Sequence, residues 1–103
     1  MSTKMTFVYD NPAEPAAFES AYADGHVQQL RSLPGVRRVE TAKVWPKEDG
    51  SPTPAYRTVD VYFDDYDTTC AAIASPQAQK LIPGVFSMAT GGVRILVSEI
   101  EEA

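Results

Sequence analysis

The stretch FESAYADGHVQQLRSLPG, residues 18–35, contains the spacing on which the fold prediction rests. Every fourth residue of it falls on one helical face, which forms a largely apolar stripe: Phe18, Tyr22, His26 and Leu30. Proline is favoured in a first helical turn, and a Leu-Pro-Gly sequence is typical of a helix end. We therefore expect one helix from Pro15 to about Ser32, with Gly25 in its interior.

Alternating side chains predict strands on both sides of this helix. Three such segments precede the second helix: residues 5–9, 36–45 and 56–64. The third is the clearest, because the apolar residues Val59, Val61 and Phe63 share one face of it. The proline-rich segment 46–55 between the second and third strands is the longest predicted loop.

The second half of the chain predicts a helix and a fourth strand. Asp65 begins the helix, and Ser75-Pro76 restarts it with a capping serine before a first-turn proline. We expect Pro83-Gly84 to interrupt it, Gly91-Gly92 to form a turn, and residues 93–97 to form the last strand. The order β-α-β-β-α-β is the signature of a ferredoxin-like α+β fold, with a four-stranded antiparallel sheet and both helices on one face.

Composition restricts the classes of protein to consider. A chain of 103 residues with 44% hydrophobic and 22% charged residues suits a single domain, residues 1–103. The net charge is −5 and the longest basic run is Arg37-Arg38, so neither nucleic acid nor an anionic membrane is an expected partner. Since no leader or membrane span is recognised, we expect a cytoplasmic protein, with Cys70 as a buried structural thiol.

The predicted sheet has a face that its own helices do not cover. Tyr56, Tyr62 and Leu96 fall on the side chain parities that belong to this face, which makes it too apolar for water. A second copy of the chain is the simplest cover. We therefore expect a homodimer whose two sheets meet face to face.

Several motifs in chain order resemble those of a known family. They are EPAAFESAYADGH (residues 14–26), LPG (33–35), PAYRTVDVYF (54–63), ASPQAQK (74–80) and ATGGV (89–93). In this order and spacing the chain resembles the EthD family, small members of the dimeric α+β barrel superfamily. The resemblance implies a dimeric α+β barrel with a pocket between the helices and the sheet of each subunit. Related members of that superfamily include cofactor-free monooxygenases, cyclases and decarboxylases.

His26 matches the histidine of the family motif, and two interpretations of it stand side by side. Imidazole titrates near neutral pH, so His26 could line a pocket and serve as base and then acid. A single histidine on an inward helix face could equally be a packed residue, hydrogen-bonded and held neutral by burial. Tyr22, one turn earlier, could donate a hydrogen bond to a substrate oxygen or be a core aromatic. We take His26 and Tyr22 as the catalytic candidates.

Other aromatic and charged residues complete the candidate list. Tyr9, Trp45 and Tyr56 are the candidates for substrate binding, and each could instead be a core or interface residue. Asp60 and Arg94 are single charges within strands, where ion pairs are the expected arrangement.

No cofactor is expected from the sequence. The glycine-rich turn of flavin and nicotinamide sites and the spacing of zinc ligands are both missing, and only the one histidine leaves haem open. The resemblance implies a cofactor-independent small-molecule enzyme, of oxidoreductase or monooxygenase type or of cyclase or decarboxylase type. Its substrate would be a hydrophobic oxygenated metabolite. The alternative is a non-catalytic small-molecule-binding or accessory protein of a catabolic or biosynthetic operon.

Overall fold

A computed structural model describes residues 2–102 and contains four strands and four helices in this range. In chain order they are β1 (Thr3–Tyr9), α1 (Pro15–Ala23), α2 (His26–Arg31), β2 (Arg38–Lys43), β3 (Arg57–Phe63), α3 (Tyr66–Ile73), α4 (Pro76–Met88) and β4 (Val93–Glu99). All three strand pairs are antiparallel, and the sheet order is β2-β3-β1-β4. The ferredoxin-like α+β fold is therefore confirmed, with each predicted helix present as a pair of helices.

Strict alternation of burial in the central strands produces two layers. Every second residue of β1 is buried, from Thr3 through Met5 and Phe7 to Tyr9. The facing residues of β3 join them: the register pairs Phe7 with Val59 and Tyr9 with Arg57. These side chains pack under the helices, whereas the intervening residues lie on a face with no covering element in the described chain. The Cα atoms span only 17 Å in the thinnest direction, as one sheet and one helix layer require.

The edge strand β4 is the least covered part of the sheet. It pairs with β1 alone, and most of its residues are exposed on both faces. Ile95, Leu96 and Val97 are among the large exposed hydrophobic residues of the chain. The main helix contacts of the sheet are made by β1, β2 and β3, which leaves the apolar edge at β4 open.

The expectation of one continuous helix between Pro15 and Ser32 is wrong. The helix stops at Ala23, and Gly25 adopts a left-handed conformation with φ of +94° before α2 begins at His26. This conformation is inexpensive only for glycine among the common residues. Gly25 is thus a hinge between two helices, and it sets the direction in which His26 enters the core.

Two further expectations are corrected by the helices of the second half. Pro83 does not interrupt α4, because residues on the buried face before and after it, Leu81, Val85 and Met88, keep the helix packed on the core. Cys70 is exposed, because Thr69 and Ala72 carry the buried face of α3. The helix starts at Asp65 and Ser75 are confirmed, since both side chains accept a hydrogen bond from a first-turn backbone N–H.

Gly91 marks a close approach between two backbone segments. A Cβ atom at this position would lie 2.0 Å from the backbone oxygen of Asn11. The turn is held by a 3.0 Å hydrogen bond from the Asp10 N–H to the Gly92 carbonyl oxygen. Close contact of this kind joins the end of β1 to the start of β4 and confirms the predicted Gly91-Gly92 turn.

We predict that Gly91→Ala lowers the free energy of unfolding by about 1–3 kcal/mol, the usual range for overpacking. Gly84→Ala is the matched control: it adds the same methyl group within α4, where nothing lies within 4 Å. This control should be neutral or raise stability by up to about 1 kcal/mol, as alanine does in a helix interior. Urea denaturation of both variants measures the difference, and equal effects would contradict the close approach.

Candidate functional site

A hydrogen bond between the sheet and the helix layer lies at the centre of the candidate site. Tyr9 is the last residue of β1 and points inward by the strand alternation, and His26 is the first residue of α2. The Tyr9 hydroxyl lies 2.8 Å from His26 Nε2. Tyr9 is 0% and His26 5% exposed, so this contact is shielded from water.

Burial keeps both partners of this pair uncharged near neutral pH. It lowers the pKa of His26, because the imidazolium ion loses its hydration. Burial, with a smaller contribution from Tyr22, raises the pKa of Tyr9. His26 Nδ1 makes no hydrogen bond within residues 2–102. It is also not among the fully buried polar atoms of this range without a partner, which are Tyr22 Oη and Arg57 Nε. Nδ1 is therefore the ring nitrogen that remains accessible.

Aromatic rings surround the pair and fix its position. The Tyr9 ring meets Phe18 edge to face at 5.2 Å, and the Tyr22 ring lies 5.6 Å from the His26 ring. Phe18 also contacts Tyr22 at 6.0 Å and Tyr56 at 5.1 Å. Such contacts are favourable and directional, so the imidazole is held in one orientation.

A cleft of about 360 Å³ opens beside His26 between α1, the start of α2 and the last turns of α4. We call it the His26 cleft. Its apolar wall includes Ala17, Phe18, Ala21, Gly84 and Met88. Its polar lining consists of Glu14, Asp24, His26, Gln29, Ser87 and Thr90, with no lysine or arginine from the described residues. The volume lies within the range of small-molecule sites.

The position of this cleft differs from the pocket expected between helix and sheet. Beneath α1, the space is filled by Phe18 and its aromatic neighbours. An apolar void of about 80 Å³ does lie between helices and sheet, near Ile95, but His26 does not line it. The ring is therefore reached from among the helices.

A charged cluster lies on the other side of Phe18. The Arg57 guanidinium sits 4.2 Å above the centre of the Tyr22 ring and donates to Glu19 over 3.2 Å. The Tyr56 hydroxyl donates to the same carboxylate over 3.0 Å. Desolvation opposes ionisation of Glu19, but the hydrogen bonds from Tyr56 and Arg57 outweigh it and lower the pKa of Glu19. Two atoms of this region are buried without a partner in the described chain: Tyr22 Oη and Arg57 Nε.

The structure brings together most of the residues proposed from the sequence. His26 contacts both Tyr9 and Tyr22, and Tyr56 joins this group through Phe18. Only His26 of these lines the cleft, since Tyr22 and Tyr56 face the charged cluster. Trp45 is 85% exposed in the loop after β2 and lies outside the group.

The strand charges form the expected ion pairs. Asp60 accepts from the Thr6 hydroxyl and lies 3.9 Å from Lys4 Nζ, and Arg94 lies 3.3 Å from Asp10. These pairs occupy strands and turns away from the His26 cleft, so they are structural.

Sequence reasoning missed the carboxylates that line the cleft. Glu14 and Asp24 flank α1, and neither belongs to the apolar stripe that the sequence predicted. Ser87 and Thr90 reach the cleft only because α4 continues past Pro83. Predicting this lining would have required knowing that α4 continues through Pro83 and that the first helix breaks at Gly25.

Neither a metal cluster nor a membrane helix is found in the part of the chain that the structure describes. Residues 2–102 contain no group of three or more His, Cys, Asp or Glu side chains placed to hold a metal ion. None of the described helices has the length and apolar character that crossing a bilayer requires.

Comparison with known proteins identifies relatives of the whole chain. No family model matches the sequence. An uncharacterised 11.0 kDa protein from the thcB–thcC intergenic region of Rhodococcus erythropolis is 36% identical over 98 residues, covering 95% of this chain and 94% of the relative.

Solved structures share the fold over nearly the full length. An EthD family protein from Bacillus halodurans superposes with a TM-score of 0.89 at 20% identity, covering 98% of this chain and 100% of that one. The cofactor-independent oxygenase SnoaB from Streptomyces nogalater gives 0.65 at 17% identity, covering 99% and 94%. A dimeric ferredoxin-like protein of unknown function from Thermobifida fusca gives 0.68 at 12% identity, covering 97% and 92%. The chain therefore belongs to one family with the Rhodococcus erythropolis protein, and its fold is that of the EthD family protein from Bacillus halodurans.

Proposed function

We propose that this chain is a cofactor-independent small-molecule enzyme in which His26 acts through its free ring nitrogen on a hydrophobic oxygenated metabolite in the His26 cleft. The observation that carries the proposal is the Tyr9–His26 pair, which holds an uncharged imidazole with one accessible nitrogen against a cleft of about 360 Å³. The tautomer decides what this nitrogen does to a ligand oxygen: unprotonated, it accepts a proton, and protonated, it donates a hydrogen bond to the charge that develops there.

The walls of the cleft suit an apolar molecule with few polar groups. Ala17, Ala21 and Met88 offer apolar surface, while His26 supplies a polar contact at the inner end. A few polar groups on an apolar wall are what small-molecule sites use to orient a ligand. The chemistry would be one in which charge develops on the ligand oxygen, a step common to oxygenation, cyclisation and decarboxylation of such molecules.

The fold that this chain shares with a solved oxygenase supports a cofactor-independent enzyme. SnoaB is described as a cofactor-independent oxygenase, and its fold matches this chain over nearly its whole length. Fold alone does not determine chemistry, so His26 and its cleft carry the proposal. A single cysteine, which cannot form an intramolecular disulfide, fits a reducing compartment such as the cytoplasm.

We also propose that the chain works as a homodimer. The sheet face opposite the helices is uncovered and carries Leu96, which is 51% exposed and pairs with Thr6 of β1, and Val8 and Tyr62 share this face. A two-layer domain of this size gains stability when a second copy covers such a face. The Thermobifida fusca neighbour, described as dimeric, supports this arrangement.

For the dimer, we predict twice the mass of one chain by light scattering at micromolar concentration. Leu96→Glu should give the mass of a single chain, because it would bury a carboxylate without a partner at the interface. Phe86→Glu is the matched control, since Phe86 is 57% exposed on α4 in the opposite layer and should leave the dimer intact. A wild-type monomer, or equal dissociation of both variants, would contradict the face-to-face dimer.

The uncharged state of His26 predicts a pH dependence of stability. An unfolded histidine binds a proton at about pH 6.5, whereas the lowered pKa of His26 keeps the folded state neutral to lower pH. The unfolded state therefore binds more protons below about pH 6.5, and this contribution to stability is lost as the pH falls. Between about pH 7.5 and pH 5, the wild type should lose more stability than His26→Gln. Urea denaturation at each pH measures the free energy of unfolding. Equal losses in the wild type and His26→Gln would contradict a neutral, buried His26.

The functional test begins with compounds that perturb the nuclear magnetic resonance signals of His26, the chain's only histidine. For a compound that is turned over, His26→Gln should lower kcat about 10²-fold or more, the usual scale for lost acid–base catalysis. Cys70→Ser, on the exposed side of α3, should leave kcat unchanged. If kcat of His26→Gln stays within about twofold of the wild type, His26 takes no part in the mechanism.

The second candidate is a non-catalytic binding protein. It is favoured by one observation: Nε2 is already engaged by Tyr9, so the ring has a single nitrogen left for a ligand. A compound that binds beside His26 in wild-type protein but is not converted would support a binding protein over an enzyme.

A further inference from the structure

We infer that Tyr9 is a positioning residue that fixes His26 as the tautomer protonated at Nδ1, so that the ring presents an N–H donor to the His26 cleft and selects a ligand with an uncharged oxygen acceptor. The inference rests on the proposed function for the role of the cleft. Its first part concerns the ring itself and can be measured without any ligand.

The direction of the Tyr9–His26 hydrogen bond follows from counting donors. A neutral imidazole has one N–H and one acceptor nitrogen, and a tyrosine hydroxyl has one proton to donate. His26 Nε2 is the one hydrogen-bond partner of the Tyr9 hydroxyl among the described residues, at 2.8 Å. Tyr9 is 0% exposed, so water does not offer another acceptor.

If Nε2 carried the proton, the Tyr9 hydroxyl would have to accept and its own proton would be left buried without a partner. Tyr22 does not relieve this, because its hydroxyl makes no hydrogen bond within residues 2–102. An unsatisfied buried donor is costly, whereas an unused oxygen lone pair is tolerated. Tyr9 therefore donates, Nε2 accepts, and the imidazole proton resides on Nδ1.

The accessible nitrogen is thus a donor in the resting protein. The Nδ1 and Nε2 directions of an imidazole diverge widely, so a ring with Nε2 turned to the sheet turns Nδ1 away from it. His26 lines the cleft, and Nδ1 is its unpaired nitrogen. A neutral imidazole that donates through a fixed N–H can polarise a carbonyl oxygen and stabilise the charge that develops on it.

The remaining polar lining indicates which acceptor the cleft takes. Glu14 and Asp24 border it, and no described lysine or arginine does. A ligand carboxylate or phosphate would face these two carboxylates without a compensating cation, which is unfavourable at short range. A ketone, ester or amide oxygen accepts from Nδ1–H without this repulsion. Tyr9 itself cannot touch the ligand, because it is fully buried behind the imidazole.

The tautomer is tested by ¹⁵N-labelling of histidine and long-range ¹H–¹⁵N correlation, which distinguish a protonated from an unprotonated ring nitrogen. The single histidine makes the assignment unambiguous. At about pH 8, where the ring is neutral, wild-type protein should show a protonated Nδ1 as the dominant form. A dominant Nε2–H form would overturn the inference, while leaving Nδ1 as a base and the proposed function intact.

Two tyrosine variants test whether Tyr9 determines the tautomer of His26. Tyr9→Phe removes the donor to Nε2 and should shift the ring towards the Nε2–H form. It should also raise the pKa of His26, because a hydrogen bond to the neutral ring disfavours the charged one. Tyr22→Phe removes the neighbouring hydroxyl that does not bond to His26, and it should change neither property. Glu14 and Asp24, which line the cleft, and Tyr22, which stands beside the ring, are the same in wild type and Tyr9→Phe.

A fall in the pKa of His26 in Tyr9→Phe would mean that the ring had donated to Tyr9, and would overturn the inference. If Tyr9→Phe does not fold, the wild-type tautomer decides the direction of the hydrogen bond on its own.

Acetophenone, which is uncharged, and benzoate, an anion of similar size, test the choice of ligand. Acetophenone should move the Nδ1 signal in a saturable manner, and benzoate at the same concentration should move it less. In Glu14→Gln/Asp24→Asn, the response to benzoate should increase while that to acetophenone stays unchanged. An equal response to both compounds in wild type, or no response to either up to their solubility, would overturn the assignment of an uncharged acceptor. His26→Gln with wild-type turnover would instead remove the proposed function and leave the tautomer standing.

Discussion

One buried hydrogen bond, between Tyr9 and His26, connects the sheet to the helix layer at the point where the candidate site is built. It can form only because the chain breaks at Gly25 and re-enters a helix with His26 as its first residue. A continuous helix would carry residue 26 past the end of β1 in another direction. The glycine therefore determines where the imidazole lies, and the tyrosine determines how it is turned.

The Tyr22 ring lies between two polar environments of opposite character, 5.6 Å from the His26 ring and 4.2 Å from the Arg57 guanidinium. On one side, Tyr9 and His26 are uncharged, dry and joined by a single bond. On the other, Arg57 and Glu19 are charged and partly exposed, and each makes more than one contact. Since a low-dielectric barrier lies between them, the charged cluster can hold the Tyr22 ring in place without charging the imidazole. The site thus keeps a neutral ring within a strongly acidic protein.

The sequence was sufficient for the order of elements and for most of the aromatic group, but it also proposed Trp45, which is 85% exposed and lies outside the group. Helical spacing placed Tyr22 and His26 on one face, and their rings are in contact. The sequence could not determine which polar atoms meet, because the Tyr9–His26 contact joins residues on different elements and depends on the entry angle after Gly25. The pocket was expected between the helices and the sheet, whereas the His26 cleft lies among the helices.

The errors at Pro83 and Cys70 have one cause. Local rules treat proline as a helix break and cysteine as a buried residue. In α4, packing of Leu81, Val85 and Met88 outweighs the local penalty of proline, and in α3 the phase of the helix turns Cys70 outward. Both outcomes depend on tertiary contacts that a single sequence does not reveal.

The strand order has a consequence for how the domain is assembled. β1 lies inside the sheet, but its two neighbours, β3 and β4, are much later in the chain. During synthesis, the first strand must therefore wait unpaired until residue 63 has emerged, and it keeps one open edge until residue 99 follows. The tyrosine that orients the imidazole belongs to that waiting strand, so the site depends on pairing between segments far apart in the chain, which is slower than local pairing.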